Sequence, residues 1–168
     1  MKPINLTAIV ITLSDRASQG IYEDVSGSSL ESMLNIFFTS QDLKYSVTRK
    51  IIADDATQLK ENFIQAVTAK TNFIFTTGGT GIGPRDITPD VIQPLLTREI
   101  PGIMELIRVK YGLIFPAAAI SRSIAGIAGR SLVYCLPGNP KAVKEYMDEI
   151  FKTLLHCHHM LHGENKHP

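Results

Sequence analysis

Short apolar runs alternate along the chain with longer segments in which apolar residues recur every three or four positions. Four of the runs are rich in β-branched, aliphatic or aromatic residues and are bounded by polar, glycine or proline positions. Such runs are typical of buried strands. They predict strands over residues 4–13, 45–52, 73–75 and 131–136.

The segments between these runs carry apolar residues at helical spacing, which predicts amphipathic helices that cover the sheet. One spans about 25–38, a second carries Leu59 and Phe63, a third runs from 101 to 112, and a last one begins at 140. The last helix has the clearest apolar stripe, which continues to Leu155. Residues 116–131 are rich in small residues and glycine, and their pattern does not decide between helix and strand.

Strands that alternate with helices predict an α/β fold, a three-layer α/β/α arrangement around a mostly parallel sheet with right-handed crossovers. A length of 168 residues suits one domain over 1–168, with a histidine-rich tail over about 157–168. We expect this tail to be a solvated helix end that frays rather than a metal site. The carboxyl ends of parallel strands carry ligand groups in such folds.

The most informative stretch is residues 73–90, FIFTTGGTGIGPRDITPD, in which the third strand runs into four glycines, Gly78, Gly79, Gly81 and Gly83. Glycines allow backbone N–H groups to approach an anion closely, so the loop predicts a phosphate site. Neither the P-loop nor the G-x-G-x-x-G pattern fits this spacing. The alternative is that the glycines only join the strand to a helix, for which Thr88 is the expected N-cap.

Asp86 follows this loop, where a carboxylate near a polyphosphate would be repelled by about 4 kcal/mol per unit charge at about 4 Å. Its presence therefore predicts a cation between the two, and Mg²⁺ is the natural one. Asp54, after the second strand, is a candidate second carboxylate at the same edge, or alternatively a capping or solvated residue. Its neighbour Asp55 is the expected N-cap of the following helix.

Other polar groups also follow strand ends. Ser14 and Asp15 end the first strand, and the turn of Pro137, Gly138, Asn139 and Pro140 follows the last one. Ser121 and Arg122 lie in the segment that the pattern leaves unassigned, where they serve a site or simply end an element. These residues either join the predicted site or act only as turn formers, and the sequence leaves both open.

Composition narrows the classes of function. A net charge of +1 excludes a general basic surface for nucleic acid or acidic membranes, and no apolar run reaches the length of about 18 residues that a membrane span requires. The first residues lack a cleavable signal pattern, so we expect a cytoplasmic protein. Cys135 and Cys157 form no C-x-x-C pair and are expected to be inert thiols.

Three segments in order, SDRASQGIYEDVSG at 14–27, TTGGTGIGPRDITPD at 76–90 and LPGNPKAVKE at 136–145, resemble the molybdenum-cofactor biosynthesis family. That family contains the molybdopterin adenylyltransferases, the MoaB-type domains and a domain of gephyrin. The resemblance spans nearly the whole chain. It implies transfer of AMP from Mg²⁺-ATP to the terminal phosphate of molybdopterin, with release of pyrophosphate.

By the same resemblance, Asp54 and Asp86 match catalytic aspartates that hold Mg²⁺. Phosphate would be cradled by Gly78, Gly79, Thr80 and Gly81, while Ser14, Asp15, Ser121 and the loop from Pro137 to Pro140 would help to bind nucleotide or pterin. The resemblance also implies a homotrimer and, as a possible partner, a molybdenum-insertion protein. Two alternatives stay open: a MoaB-type paralogue with a different role, and a non-catalytic molybdopterin carrier or scaffold.

Overall fold

The computed structural model describes residues 5–163, which form one six-stranded sheet with helices on both faces. The strand order is β2-β1-β3-β6-β5-β4. In chain order the strands are β1 (Asn5–Leu13), β2 (Lys44–Ile52), β3 (Phe73–Thr77), β4 (Arg98–Glu99), β5 (Ile124–Ala128) and β6 (Ser131–Leu136). Residues 4 and 164–168, parts of the predicted first strand and tail, lie outside the described range.

Four strands at the centre and one edge of the sheet, β2, β1, β3 and β6, are mutually parallel. At the other edge, β5 is antiparallel to both β6 and β4. The predicted α/β fold with a mostly parallel sheet is therefore confirmed, and the parallel part brings the ends of β1, β2 and β3 side by side.

Within residues 5–163, seven helices connect and cover these strands. They are α1 (Asp15–Ser18), α2 (Val25–Ser40), α3 (Ala56–Thr68), α4 (Thr88–Ile92), α5 (Pro101–Gly112), α6 (Pro140–Ile150) and α7 (Leu154–Leu161). Short 3₁₀ turns follow α4 at Gln93–Leu95 and α5 at Pro116–Ile120. Pro94 lies at the start of the first of these turns, so it ends α4 as its missing N–H predicts.

Two hydrophobic clusters lie on opposite faces of the sheet, which gives the predicted three layers. Alternate residues of β3 divide between them: Phe73 and Phe75 pack with α2, α5, α6 and α7, whereas Ile74 packs with α3 and α4. This division follows from the two-residue period of a strand that is buried on both faces.

Three parts of the structure differ from what the sequence pattern indicated. The sequence pattern did not predict β4 and β5, and β5 lies in the segment of small residues that resisted assignment. The helix predicted from 140 through Leu155 is two helices, interrupted at 151–153. The interruption leaves Ile150 and Leu154 four positions apart, both buried, so the apolar stripe continues across a turn that the periodicity cannot reveal.

The third difference concerns the histidines at the end of the chain. His158 is only 3% exposed and lies on α7 against Phe73, with ring centroids 5.2 Å apart, so this part of the predicted solvated end is core. His162 contacts Arg130, with Nδ1 2.6 Å from Nη2. Over residues 5–163, no helix is both long and apolar enough to cross a membrane.

Candidate active site

A cavity of about 590 Å³ opens where β1, β2 and β3 end. It collects side chains from three loops because these strands are adjacent and parallel. Five residues expected at the site, Ser14, Asp15, Asp54, Gly79 and Asp86, lie together here. Its lining is completed by Leu13, Arg16, Gly83, Pro84 and Arg85.

The loops after β1 and β2 are joined through two aspartates. The Asp15 N–H donates to Asp54 Oδ2 at 3.2 Å, and the Asp54 N–H donates to Asp15 Oδ1 at 2.9 Å. Ser14 adds a bond from its N–H to the Ile52 carbonyl at 3.0 Å, and its hydroxyl caps α1 by accepting from the Ala17 N–H at 3.2 Å. Ser14 and Asp15 are therefore turn formers and cavity residues at once.

Asp54 is not used as a helix cap, because that role falls to its neighbour. The Asp55 side chain accepts from the Gln58 N–H at 2.7 Å at the start of α3, as predicted. Asp54 is left to join the loop of Asp15 and to line the cavity.

Asp86 sits over the turn that the glycine loop forms. Its Oδ2 accepts from the Gly83 N–H at 2.8 Å. A Cβ atom at Gly81 would lie 2.6 Å from this oxygen, and one at Gly83 would lie 3.0 Å from it. These two glycines are therefore needed to make room for the Asp86 carboxylate, a reason that the sequence pattern alone does not provide.

The first two glycines of the loop pack against the rest of the sheet edge. Gly78 and Gly79 have φ angles of +101° and +66°, a region that residues with a Cβ rarely adopt. A Cβ at Gly78 would lie 2.5 Å from the Leu13 carbonyl oxygen, and the Gly78 N–H donates to the Leu136 carbonyl at 3.1 Å. This amide is engaged within the protein, so Gly78 shapes the loop rather than offering its N–H to a phosphate.

Thr88 fastens the same loop from the other side. Its hydroxyl donates to the Gly78 carbonyl at 2.8 Å, and its N–H donates to the Gly79 carbonyl at 2.9 Å. The prediction that Thr88 is an N-cap was wrong: it is the first residue of α4, whose start has no side-chain cap. The hydroxyl is used to hold the glycine loop instead.

The carbonyl groups of Thr80 and Gly81 accept hydrogen bonds from Arg122. The Arg122 N–H donates to the Thr80 carbonyl at 2.8 Å, and Arg122 Nε donates to the Gly81 carbonyl at 2.7 Å. Neither residue lines the cavity, although Gly79 does. Their predicted role in cradling phosphate stays a prediction.

The remaining predicted residues line two further cavities on either side of the loop after β6. Gly138 and Pro140 line one of about 330 Å³, which shares Leu13, Ser14 and Arg16 with the first cavity. The other, of about 370 Å³, is lined by Ser121, Pro137 and Asn139 together with aromatic and aliphatic residues, among them Tyr111, Phe115 and Tyr146.

Two of the residues in these flanking cavities also have local structural roles. Asn139 caps α6, since its Oδ1 accepts from the Lys141 N–H at 2.8 Å and from the Ala142 N–H at 3.3 Å. The Ser121 hydroxyl lies 2.9 Å from the Ser123 hydroxyl. The predicted binding residues described here therefore divide among adjoining cavities, and their role in binding stays a prediction.

The first cavity also contains two cationic side chains, Arg16 and Arg85, that were not predicted from the sequence. Arg16 lines both this cavity and the adjoining one, and Arg85 Nη1 lies 3.6 Å from Asp15 Oδ2. Each directly follows or precedes a predicted aspartate in the chain, which is the signal that could have identified it. Their positive charges suit a phosphate ligand.

Asp24 is a buried carboxylate at the edge of the second cavity. Its Oδ2 accepts from the Thr12 hydroxyl and from Arg49 Nη1, both at 2.8 Å, and its Oδ1 accepts from the Gly27 N–H at 2.8 Å. The bond to Asp24 is the main cause that raises the pKa of Arg49. These bonds fix the start of α2 and give Asp24 a structural role.

Two carboxylates of the first cavity, those of Asp54 and Asp86, are of the type that holds a divalent cation together with phosphate oxygens. Within residues 5–163, no three or more histidine, cysteine, aspartate or glutamate side chains group to hold a metal ion. Mg²⁺ is commonly bound by one or two carboxylates together with substrate phosphates and water. Asp54 and Asp86 on one cavity fit such a site, because each uses only one carboxylate oxygen in the bonds described above.

Comparison with a family model and with a known relative points to proteins that bind or modify molybdopterin. Residues 9–156 match a family described as "probable molybdopterin binding domain". A molybdopterin adenylyltransferase of Helicobacter pylori is 34% identical over 155 residues, which cover 92% of this chain and 86% of that protein.

Solved structures of both named branches of this family resemble the chain. The molybdopterin biosynthesis Mog protein of Mycobacterium ulcerans is 30% identical with a TM-score of 0.82, and the match covers 95% of this chain and 99% of that one. The tungsten cofactor synthesizing protein MoaB of Pyrococcus furiosus is 31% identical with a TM-score of 0.80, covering 97% and 99%.

Proposed function

The chain belongs to the family described as probable molybdopterin binding domains, and on this premise we propose that it adenylylates molybdopterin in molybdenum cofactor biosynthesis. In detail, ATP is the proposed co-substrate, AMP is transferred to the terminal phosphate of molybdopterin, and pyrophosphate is released. The observation that carries this proposal is the pair Asp54 and Asp86 on one cavity, with Arg16 and Arg85 beside them.

The reaction needs no nucleophile from the protein. An oxygen of the molybdopterin phosphate attacks the α-phosphorus of ATP, the bond from that phosphorus to the bridging oxygen breaks, and pyrophosphate leaves with the electron pair. A phosphate is already an anion near neutral pH, so a strong general base is unnecessary. Positioning and charge stabilisation are then the main contributions of the chain.

Within this scheme Asp54 and Asp86 would hold Mg²⁺. When bound, the ion would offset the charge that accumulates on the phosphates during transfer. Arg16 and Arg85 would pair with phosphate oxygens, and the turn around Gly83 would hold the Asp86 carboxylate in place. Ser14 and Asp15 would complete the wall of the phosphate cavity, while Gly79, Thr80 and Gly81 are the proposed backbone contacts to phosphate.

The two rings of the substrates require apolar surface, which the first cavity offers least. We place the adenine and pterin rings in the two cavities that flank the loop from Pro137 to Pro140. One of these carries Tyr22, and the other carries the aromatic surface of Tyr111, Phe115 and Tyr146 near Ser121. Flat rings of this size bind well against such side chains.

Pyrophosphate release from ATP by the purified protein tests the proposal. We expect release to require both molybdopterin and Mg²⁺, and to fall by about 100-fold or more in Asp54→Asn and in Asp86→Asn, a loss of about 3 kcal/mol of transition-state stabilisation. The matched control is Asp55→Asn, because Asn is an equally good N-cap for α3 and the residue lies outside the cavity. Release that is independent of molybdopterin, or unchanged in both cavity variants, would refute the proposal.

A second candidate is a MoaB-type role or a non-catalytic carrier, because the Mog and MoaB structures match the chain almost equally well. A carrier would bind molybdopterin with the same affinity whether or not Mg²⁺-ATP is present, and Asp86→Asn would not alter it. The homotrimer, the molybdenum-insertion partner and the cytoplasmic location remain predictions.

A further inference from the structure

Arg122 reaches back from the segment before β5 to the glycine loop and binds it at four places. Besides the bonds to the Thr80 and Gly81 carbonyls, its Nη2 donates to the Asp86 carbonyl. Its Nη1 and Nη2 also donate to the Asp90 carboxylate at 2.8 and 3.0 Å. All these acceptors lie within one stretch of eleven residues that contains the proposed phosphate and metal groups.

The acceptors show what Arg122 holds. Gly81 and Asp86 are the two ends of the turn in which the Gly83 N–H binds the Asp86 carboxylate. By bonding the carbonyls at both ends, one planar guanidinium fixes the width of the turn. A lysine carries its charge on a single nitrogen and cannot reproduce this fork of donors.

Arg122 itself does not line the cavity, so it touches the substrates only through the residues that it holds. Its ion pair with Asp90 is half-exposed, with side-chain exposures of 35% and 64%, and pairs of this kind contribute little to folding stability. The bonds to the carbonyl groups are therefore the part of the contact with a consequence for the site.

We propose that Arg122 is a positioning residue that fixes the turn from Gly81 to Asp86 and thereby aims the Asp86 carboxylate at the reacting phosphates. The structural part stands on the bonds above, and the catalytic part rests on the proposed function. Removal of Arg122 would let the turn widen, weaken the bond from Gly83 to Asp86, and lower turnover without removing any group that touches substrate.

The test compares Arg122→Lys with Asp90→Asn. The first keeps a positive charge beside Asp90 and the main-chain bond to the Thr80 carbonyl, but it loses the guanidinium bonds to the Gly81 and Asp86 carbonyls. The second keeps all of these bonds and loses the ion pair. We expect Arg122→Lys to lower kcat about 10- to 100-fold, the usual effect of removing a group that orients a metal ligand, and to raise the Mg²⁺ concentration needed for half-maximal rate. Asp90→Asn should stay within about threefold of the parent protein.

A readout independent of turnover is the amide signal of Gly83 in a nitrogen-15 NMR spectrum. In Arg122→Lys this signal should shift and exchange faster with solvent, while the Gly27 amide, which binds the Asp24 carboxylate, should not change. The Gly83 signal can also be followed while Mg²⁺ and ATP are added, and we expect the variant to require more of both.

The outcomes separate the two proposals. An unchanged Gly83 signal in Arg122→Lys overturns the positioning role, whatever happens to turnover. An altered signal with kcat within twofold of the parent overturns it as well, because the turn would then not matter to the reaction. If the parent protein releases no pyrophosphate, the proposed function fails, and the Mg²⁺ and ATP titration of Gly83 decides whether Arg122 positions the turn for ligand.

Discussion

Asp15 and Asp54 each donate a main-chain N–H to the carboxylate of the other, at 3.2 and 2.9 Å. These two reciprocal hydrogen bonds join the loops that follow β1 and β2. Each bond uses one carboxylate oxygen, so the other oxygen of each aspartate takes no part in the pair. Because both residues line the phosphate cavity, the same pair of bonds that shapes the sheet edge also sets where its negative charge lies.

Substitutions of Asp15 can separate its role as a hydrogen-bond acceptor for the Asp54 N–H from the effect of its negative charge. Asp15→Asn keeps a side-chain oxygen that can accept from the Asp54 N–H, so we expect kcat to stay within about tenfold of the parent. Asp15→Ala removes the acceptor and leaves the Asp54 amide unpaired, a cost of about 1–3 kcal/mol in stability. Urea unfolding and pyrophosphate release measured on both variants check this, and equal stability of the two variants would contradict it.

A side chain at Gly81 should push the Asp86 carboxylate aside, because the added Cβ would lie 2.6 Å from Asp86 Oδ2. We expect Gly81→Ala to displace that carboxylate and to lower turnover by about tenfold or more. The matched control is Gly102→Ala in the first turn of α5, where nothing lies within 4 Å of the added atom. Equal turnover in the two variants would show that the carboxylate does not need this space.

The two lysine bonds of the Glu149 carboxylate should make a contribution to folding stability that depends on pH. It is buried on α6 and accepts from Lys110 Nζ at 2.6 Å and Lys152 Nζ at 2.8 Å, and these bonds lower the pKa of its carboxyl group. A lowered pKa stabilises the fold above the ordinary glutamate value of about 4.3, and the contribution is lost as pH falls through the lower folded value.

Glu149→Gln should therefore cost about 1–2 kcal/mol of unfolding free energy near pH 7, a value reduced by the exposure of both lysines, and progressively less below about pH 4.3. Urea unfolding at several pH values measures this. The control is Asp148→Asn, whose exposed pair with Lys144 should contribute little to stability. A difference for Glu149→Gln that grows on acidification would contradict the assignment.

The predicted homotrimer can be tested at an apolar surface on α5 and the turn that follows it. Leu113 is 84% exposed there, and further large apolar side chains are exposed beside it in the chain, namely Leu106, Val109, Ile114, Phe115 and Ile120. If copies of the chain associate through this surface, Leu113→Asp should lower the mass measured by light scattering, whereas Ile36→Asp on α2 should not. An unchanged trimer mass in Leu113→Asp would place the contact elsewhere.

The sequence was sufficient to predict the parallel part of the sheet and the loops that carry Asp15, Asp54 and Asp86. Long apolar runs and polar strand ends are local signals, so they can be recognised in the sequence without knowledge of tertiary contacts. The antiparallel edge was missed because β4 is two residues long and β5, with the sequence IAGIA, has alanine or glycine at three of its five positions. Gly126 illustrates the cause: a Cβ there would lie 2.6 Å from the Arg98 carbonyl, a contact that only the fold reveals.

The roles of Thr88 and Arg122 also could not be predicted, for the same physical reason. Thr88 before a proline has the pattern of an N-cap, yet its hydroxyl binds a carbonyl ten positions earlier. Arg122 binds the carbonyls of Asp86 and Gly81, which lie 36 and 41 positions away, and no spacing in the sequence indicates such contacts. His158 was misjudged because a histidine-rich segment has the composition of a solvated tail, whereas the burial of one of its members depends on packing against Phe73.

Transfer of AMP can be followed with ATP that carries ³²P at the α position. We expect the label to move to molybdopterin in the presence of Mg²⁺. The Asp86→Asn variant should transfer at least about 100-fold less label, and Asp55→Asn should transfer as much as the parent protein. With label at the γ position, it should appear in pyrophosphate alone. If the α label never reaches molybdopterin, or reaches it equally in Asp86→Asn, the chain does not perform the proposed reaction at this site.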